Sequence, residues 1–300
     1  MAIGNIQIDL DGSWALLKSL GYPFTLDQDE IYERALPQFL ELFSKHDVKA
    51  TFFVNAADLS VPRKKHLIQQ IIQEGHEIAN HGYAHCYLNQ LNIHERREEI
   101  QKSTQLLNDL VGRQVKGFRA PGYYADRGVI SLLEEQGYQY DCSVFPSSII
   151  FLIKLWEKWN TGKVTTPLPI MDSLLAPLRP YTISQKNLYK RGFVDRSLLE
   201  IPVTTLPFLR LPLNFSYGVI LGKYYLSGVL SLTRCFNVPM SYVFHLLDMV
   251  GTLQDKRLKR YEWGTPSSPK RKCYIESVII QLKKEYRLLK LEDFKNALES

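Results

Sequence analysis

The sequence predicts an α/β protein, a distorted (β/α) barrel of about seven to eight parallel strands. Two observations predict this class. Short apolar runs alternate with segments of helical periodicity over most of the chain, as in proteins built from β/α units. The polar residues best suited to chemistry follow predicted strands, as they do in parallel barrels. The chain has 300 residues, of which 45% are hydrophobic, so we expect a single domain over residues 1–300.

The first half of the chain supplies five strands and four helices in alternation. Each later strand is preceded by a helix stop signal, either a glycine or a His-Asp pair. Parallel strands are buried on both faces, which a barrel achieves. The strands are expected at residues 3–9, 50–54, 76–80, 117–120 and 138–141, and the helices at residues 31–46, 63–74, 95–110 and 126–136.

The alternation stops between residues 145 and 196, where prolines and aromatic residues accumulate. A connection this long inside a compact domain is usually functional, so we interpret it as an insertion that covers the active-site face. The rhythm then resumes with strands at 199–203, 240–244 and 286–290, helices at 217–235 and 275–284, and a last helix that begins at Glu292.

The amino-acid composition bears on the kind of binding partner and on the cellular compartment. A net charge of +6 fits an anionic partner, although it equally fits an ordinary surface with a few extra lysines. Lysines and arginines are scattered, which argues against nucleic acid. The four cysteines form no C-x-x-C pair, so we expect reduced thiols. The first residues lack the pattern of a signal peptide, and no run reaches the roughly 18 apolar residues of a membrane helix, so we expect a cytoplasmic protein.

Two pairs of polar residues follow predicted strands early in the chain. Asp9 and Asp11 are two apart and point to the same side, where two close carboxylates repel unless a cation or a shared proton relieves them. The alternative is an ordinary Asp-Gly turn. His81 and His85 are four apart, and both imidazoles reach one metal if this turn is helical. The alternative is a pair of packing histidines.

Two further residues end later strands. Arg119 can bind a carboxylate through its two-pronged guanidinium, or form an ordinary salt bridge before a Pro-Gly turn. His245 closes an apolar strand, where it is either a proton donor or a core histidine. All of these signals fall at the carboxyl ends of predicted parallel strands, the face of a β/α barrel that holds the chemistry. The joint pattern therefore favours an active site.

With these motifs the chain resembles the polysaccharide deacetylases, also called NodB-homology or carbohydrate esterase family 4 proteins. Its Asp-Asp motif is similar to DLDG at 9–12, and its H-[ST]-x-x-H motif to HGYAH at 81–85. Its R-x-P-G motif matches RAPG at 119–122, YQYDCS at 138–143 resembles the segment after the next helix, and its late L-x-H motif is similar to FH at 244–245. The resemblance implies a NodB-like barrel.

The chain departs from the motifs at two places that bear on the site. A spacer separates the two aspartates, as in a branch that includes some peptidoglycan deacetylases and the deformylases of lipid A aminoarabinose. Gly82 stands where the family has Ser or Thr, which should loosen the metal turn without deleting a ligand.

The resemblance and the residues together predict a hydrolase that removes an N-acetyl group from a sugar. A divalent metal, Zn²⁺ first and Co²⁺, Ni²⁺, Fe²⁺ or Mn²⁺ as alternatives, is expected on Asp11, His81 and His85. Asp9 is expected to act as general base, and Arg119 to orient it. His245 is expected to protonate the leaving amine, and a backbone N–H after the Arg119 motif to stabilise the oxyanion.

Substrate contacts are expected from the Arg119 motif and from the insertion. The predicted contact residues are Pro121, Gly122, Tyr123, Trp156 and Tyr181. The segment 149–159 combines apolar residues with lysines and two tryptophans, so it fits either a membrane interface or a buried helix over the barrel. The first alternative suits a lipid-linked or anionic sugar and a peripheral place at the inner membrane face.

Two other functions stay open on these motifs. A related amide hydrolase, acting on a formamide or a ureide, would use the same residues, and only the covering insertion would choose between them. A non-catalytic glycan-binding module would have no need of all six polar residues, which argues against it.

Overall fold

The computed structural model describes residues 2–149, 170–192, 198–261 and 267–299, and one nine-stranded sheet runs through these ranges. The strands are β1 (Ala2–Asp9), β2 (Thr51–Val54), β3 (Glu77–Asn80), β4 (Gly117–Phe118), β5 (Tyr140–Asp141), β6 (Tyr181–Thr182), β7 (Leu199–Glu200), β8 (Met240–His245) and β9 (Tyr286–Leu288).

The sheet has the order β6-β7-β5-β4-β3-β2-β1-β8, and β9 also pairs with β1. Eight strands pair in parallel, and β6 alone among the described strands pairs antiparallel, with β7. The predicted fold class is confirmed, including the number of parallel strands. The sequence gives no sign of β6, because it is a two-residue strand inside the proline-rich insertion.

Helices follow most strands and cover the sheet. They are α1 (Ser13–Ser19), α2 (Glu30–Lys45), α3 (Pro62–Gln73), α4 (Ile93–Val111), α5 (Arg127–Glu135), α6 (Ile170–Leu175), α7 (Phe215–Cys235), α8 (Leu246–Met249), α9 (Ser268–Glu285) and α10 (Leu291–Glu299). None of these helices, within the described ranges, is long and apolar enough to cross a membrane.

Local sequence explains where the helices begin and end. The Asp29 carboxylate accepts the backbone N–H of Tyr32 and caps α2. Asn92 and Glu95 form a capping box at the start of α4, and Gly112 ends that helix with a φ of 73°. Apolar side chains of α2 then pack on the central strands. The result is a rigid sheet whose strand ends are fixed relative to one another.

A buried histidine lies in the core directly before β3. The His76 ring packs against Phe43 and Phe52, and its Nδ1 accepts the backbone N–H of Ala50 at 3.0 Å. Burial lowers the pKa of His76 from 6.5 to about 4, with smaller contributions from nearby lysines. Between these two pH values the unfolded chain binds a proton that the folded chain does not bind.

We therefore expect the free energy of unfolding to fall as pH decreases from about 6.5 to about 4, by about 3 kcal/mol from this group. His76→Asn keeps an acceptor for the Ala50 N–H but does not titrate, so its stability curve should be flatter by that amount. Urea unfolding across this pH interval measures the difference. Parallel curves for the two proteins would show that His76 is not the acid-sensitive group.

Candidate metal centre and active site

Four strands of the run β4-β3-β2-β1-β8 lead into the residues that the sequence singles out. Asp9 ends β1, His81 follows β3, Arg119 follows β4 and His245 ends β8. The ladder continues past the strand ends, because the N–H of His81 donates to Val54 O and that of Arg119 donates to the carbonyl oxygen of the residue before His81. In the parallel register Asp9 lies beside His245. The sheet thus brings all four side chains to one edge.

Ligand atoms of Asp11, His81 and His85 converge on one point. Oδ1 of Asp11 is 3.3 Å from Nε2 of His85 and 3.5 Å from Nε2 of His81. In a tetrahedral zinc site with bonds of about 2.0–2.1 Å, two ligand atoms lie about 3.3 Å apart. All three residues are largely buried. The spacing and the donor types therefore fit one divalent cation held by Asp11, His81 and His85.

The turn that carries the two histidines is not helical, so the condition that the sequence argument set for it was wrong. The backbone instead passes through two positive φ angles, 82° at Gly82 and 50° at His85. The two rings nevertheless come within 5.4 Å of one another, measured between their centroids. Glycine adopts a positive φ without steric cost, which makes Gly82 suited to this turn.

The expectation that Gly82 loosens the turn stays a prediction, and hydrogen bonds support the turn on two sides. The Glu99 carboxylate accepts the N–H groups of Tyr83 and Ala84, at 3.0 and 2.6 Å. On the other side, the N–H of Ala56 donates to Gly82 O at 2.9 Å. The turn that carries the two histidines is therefore tied through its backbone to two neighbouring segments.

The electrostatics of the three residues favour positive charge at their centre. Burial raises the pKa of Asp11, but His85 and His81 outweigh it and hold that pKa well below its usual range. Burial lowers the pKa of His81, but Asp11 outweighs it and the net shift is upward. Nδ1–H of His81 donates to the Arg119 carbonyl at 2.8 Å, which leaves Nε2 to face Asp11. A divalent cation would supply the positive charge that the ring protons otherwise provide.

Arg119 binds one oxygen of the Asp9 carboxylate, and the other oxygen faces His245. Oδ1 of Asp9 accepts a hydrogen bond from Nη1 of Arg119, whose Nη2 donates to Oε1 of Gln7. Both side chains of the Asp9–Arg119 pair are buried. The second oxygen, Oδ2, lies 3.5 Å from Nε2 of His245. The predicted Arg119–Asp9 contact is thus present, and it aims one carboxylate oxygen at the site.

The two parts of the site adjoin each other. A carboxylate oxygen of Asp9, one of Asp11 and a ring nitrogen of His245 all lie within 4.8 Å of one another. The His245 side chain is 38% exposed, whereas that of Asp9 is 2% exposed. A buried base and a solvent-accessible histidine therefore face the same small volume beside the three metal-ligand candidates.

The predicted substrate contacts divide into three groups. Pro121, Gly122 and Tyr123 form a turn at the site, and the Tyr123 ring lies 5.5 Å from the guanidinium carbon of Arg119. Their role as substrate contacts stays a prediction. Trp156 lies outside the described residues, as does most of the segment 149–159.

Tyr181 is a correction, because it belongs to the core. It is 2% exposed, and its hydroxyl donates to Leu188 O at 2.7 Å. Its place in β6, paired with β7, turns the ring inward.

A second correction concerns the backbone N–H groups after Arg119, one of which was expected to stabilise the oxyanion. The N–H groups of Tyr123 and Tyr124 donate within the turn, to Ala120 O and Pro121 O.

Three functional neighbours were missed from the sequence. Asn55 donates through Nδ2 to Asp11 Oδ1 at 3.3 Å, Gln7 binds Arg119, and Glu99 holds the histidine turn. Asn55 follows β2 directly and lies at the same edge as the other site residues. The rule that polar residues at strand ends form the site would have found it.

Comparison with known proteins finds a family model that matches part of the chain. The family model described as polysaccharide deacetylase matches residues 23–140, which include His81, His85 and Arg119. A curated peptidoglycan deacetylase from Helicobacter pylori is 26% identical over 171 residues, which cover 57% of this chain and 53% of that protein. The chain thus spans about half the length of that relative. Residues 23–140 thus match the polysaccharide deacetylase family, which confirms the resemblance over that part of the chain.

Two solved structures share the fold. A probable polysaccharide deacetylase from Pseudomonas aeruginosa PAO1 is 16% identical with a TM-score of 0.59, over 96% of this chain and 88% of that one. A structure described as Puue allantoinase is 17% identical with a TM-score of 0.57, over 95% and 85% of the two chains. At these identities the likeness establishes the fold alone.

We expect His81→Ala to abolish retention of a divalent metal, because it removes one of three ligand candidates. His66→Ala is the matched control, since His66 is an exposed histidine of α3. Elemental analysis of both purified variants after loading with Zn²⁺ measures the difference. Unchanged metal content in His81→Ala would mean that the ligands are misassigned.

Proposed function

We propose that this protein is a metal-dependent hydrolase that removes the N-acetyl group from an N-acetylated sugar. The observation that carries the proposal is the convergence of Asp11, His81 and His85 beside a base held by Arg119. The names of curated relatives, which include a peptidoglycan deacetylase and a chitin deacetylase, support the carbohydrate substrate.

Zn²⁺ is the ion that we propose for Asp11, His81 and His85, and Co²⁺, Ni²⁺, Fe²⁺ and Mn²⁺ are the alternatives. A bound divalent cation supplies Lewis acidity toward a carbonyl oxygen and lowers the pKa of water. Asp and two His are also ligands that Fe²⁺ accepts, so the donor set alone does not choose between metals.

The protein's own residues supply the proton transfers. Asp9 accepts the proton of the attacking water through Oδ2, since Arg119 occupies Oδ1. His245 then donates a proton from Nε2 to the leaving amine, which its exposure allows the sugar to reach. The separation of 3.5 Å between Asp9 Oδ2 and His245 Nε2 supports a base and an acid that act on the same bond.

We expect Asp9→Asn to keep the bound metal and to lose at least about 100-fold in kcat, the scale of a general base. The amide oxygen can still accept from Arg119, so the local structure should persist. Acetate release from N-acetylglucosamine oligomers, measured beside metal content, tests the role. Full activity in this variant would remove Asp9 from the mechanism, and release of formate or ammonia from other substrates would favour a different amide hydrolase.

We also propose that the sugar is lipid-linked or carries an anionic group. The net charge of +6 supports an anionic group. A cavity of about 630 Å³ with an apolar lining, a size typical of ligand pockets, would accept an apolar chain, although none of its lining residues belongs to the candidate active site. Phe208 and Leu175 line it and are 80% and 70% exposed, which is unusual for large apolar side chains. Three arginines are also among the lining residues, and their positive charge would attract phosphate: Arg179, Arg191 and Arg210.

We expect Phe208→Ser with Arg191→Ala to raise KM at least about tenfold for a polyprenyl-phosphate-linked sugar, since burying one Phe contributes about 1.5–3 kcal/mol. KM for a short water-soluble oligomer should stay within about twofold. Ile280→Ser is the control, because Ile280 is an exposed apolar residue of α9 away from this cavity. Equal KM changes for both substrates would contradict the lipid-linked proposal.

A cytoplasmic location with peripheral contact at the inner membrane face is part of the same proposal. The net charge of +6 and the apolar, lysine-bearing sequence of residues 149–159 support it. Cosedimentation of the wild-type chain and the Phe208 variant with anionic vesicles separates binding of a bilayer from binding of the substrate alone.

A further inference from the structure

Three charged side chains are buried together behind the metal centre and take no part in the chemistry described above. The Lys64 ammonium lies 2.7 Å from Oδ2 of Asp29 and 2.7 Å from Oδ1 of Asp58. The side chain of Lys64 is 2% exposed and those of the two aspartates are fully buried. Charges this deep are costly unless they are paired and hydrogen-bonded, so the cluster calls for an explanation.

The first carboxylate of the cluster fixes the loop that carries Asp11. Oδ1 of Asp29 accepts the N–H of Ser13 at 2.7 Å, two residues after Asp11. The loop approaches so closely that a Cβ added at Gly12 would lie 1.9 Å from Oδ2 of Asp29. Any movement of Asp29 would therefore move the backbone next to Asp11.

The second carboxylate fixes the element that holds the two histidines. Asp58 belongs to the short 3₁₀ helix Ala56–Ser60. The N–H groups of Ala56 and Ala57 in this helix donate to Gly82 O and Tyr83 O, both at 2.9 Å. These carbonyls belong to the turn between His81 and His85, so Asp58 is linked to the histidine side of the site.

We infer that Lys64 is a positioning residue that joins the aspartate half of the metal centre to its histidine half. The inference rests on the metal site of the proposed function. Each half is attached to one carboxylate, and Lys64 is the described cation that contacts both. Groups that orient ligands from behind typically change metal affinity or activity by about 10- to 100-fold when removed.

The test removes the three buried charges and keeps the hydrogen bonds that the two carboxylates accept from Ser13 and Trp14. The triple variant Lys64→Met, Asp29→Asn, Asp58→Asn leaves no unpaired buried charge. Its asparagine oxygens can still accept from the Ser13 N–H and from Nε1 of Trp14, which donates to Asp58 at 2.8 Å. Burial raises the pKa of Asp58 to about 7 even beside Lys64, so a neutral group is tolerated at that position.

We expect the folded triple variant to bind Zn²⁺ about 10- to 100-fold more weakly than the wild type, measured by calorimetry in competition with a chelator. Its kcat should fall while KM for a short N-acetylated oligomer stays within about twofold, because no residue of the cluster touches the sugar in the proposed site. Wild-type Zn²⁺ affinity and kcat in the folded variant would overturn the inference.

The control is Glu77→Gln, which alters a buried carboxyl at the opposite end of β3, where Thr51 and Tyr140 donate to it. It should lower Tm without weakening Zn²⁺ binding, and equal weakening would show that the effect is global. If the triple variant does not fold, Asp29→Asn alone decides, and unchanged Zn²⁺ affinity there overturns the inference. A wild-type chain that binds no Zn²⁺ would instead refute the proposed function.

Discussion

The approach of one Asp11 oxygen to two imidazole nitrogens, at 3.3 and 3.5 Å, is the arrangement on which the rest of the site depends. A carboxylate buried this deeply needs positive charge beside it. Protons on the two rings can provide it, and so can a divalent cation bound to all three ligands. The surrounding structure keeps the three groups together for either occupant, and this prior arrangement makes the site suited to a metal.

The sheet provides that arrangement from residues far apart in the chain. The strand order β4-β3-β2-β1-β8 sets Arg119, His81, Asp11 and His245 along one edge. Arg119 and Asp9 are separated by 110 positions in the sequence, yet their side chains form a buried ion pair. A buried ion pair of this kind contributes little net stability. Its partners nevertheless stay together, because removing one of them leaves an uncompensated buried charge, and the pair therefore defines the local geometry. The base of the proposed reaction is thus aimed by the same strands that place the metal ligands.

Sequence reasoning found the described strands except β6, their parallel arrangement and the residues at their ends, because periodicity and strand-end position are both local signals. It did not find the contacts made by backbone geometry or by distant buried polar groups. A shared metal was taken to need a helical turn between the histidines, whereas positive φ angles at Gly82 and His85 shape the turn. Tyr181 was predicted to contact the substrate, and its burial was missed because it follows from a short antiparallel strand without sequence signal. The Lys64 cluster joins three segments that no local pattern connects.

Anomalous X-ray diffraction from crystals soaked in Zn²⁺ tests the central claim most directly, because it locates the ion without reference to activity. The account predicts one strong peak about 2.0–2.2 Å from Oδ1 of Asp11 and from Nε2 of both His81 and His85. A peak at other residues, or none at these three under saturating Zn²⁺, would contradict it.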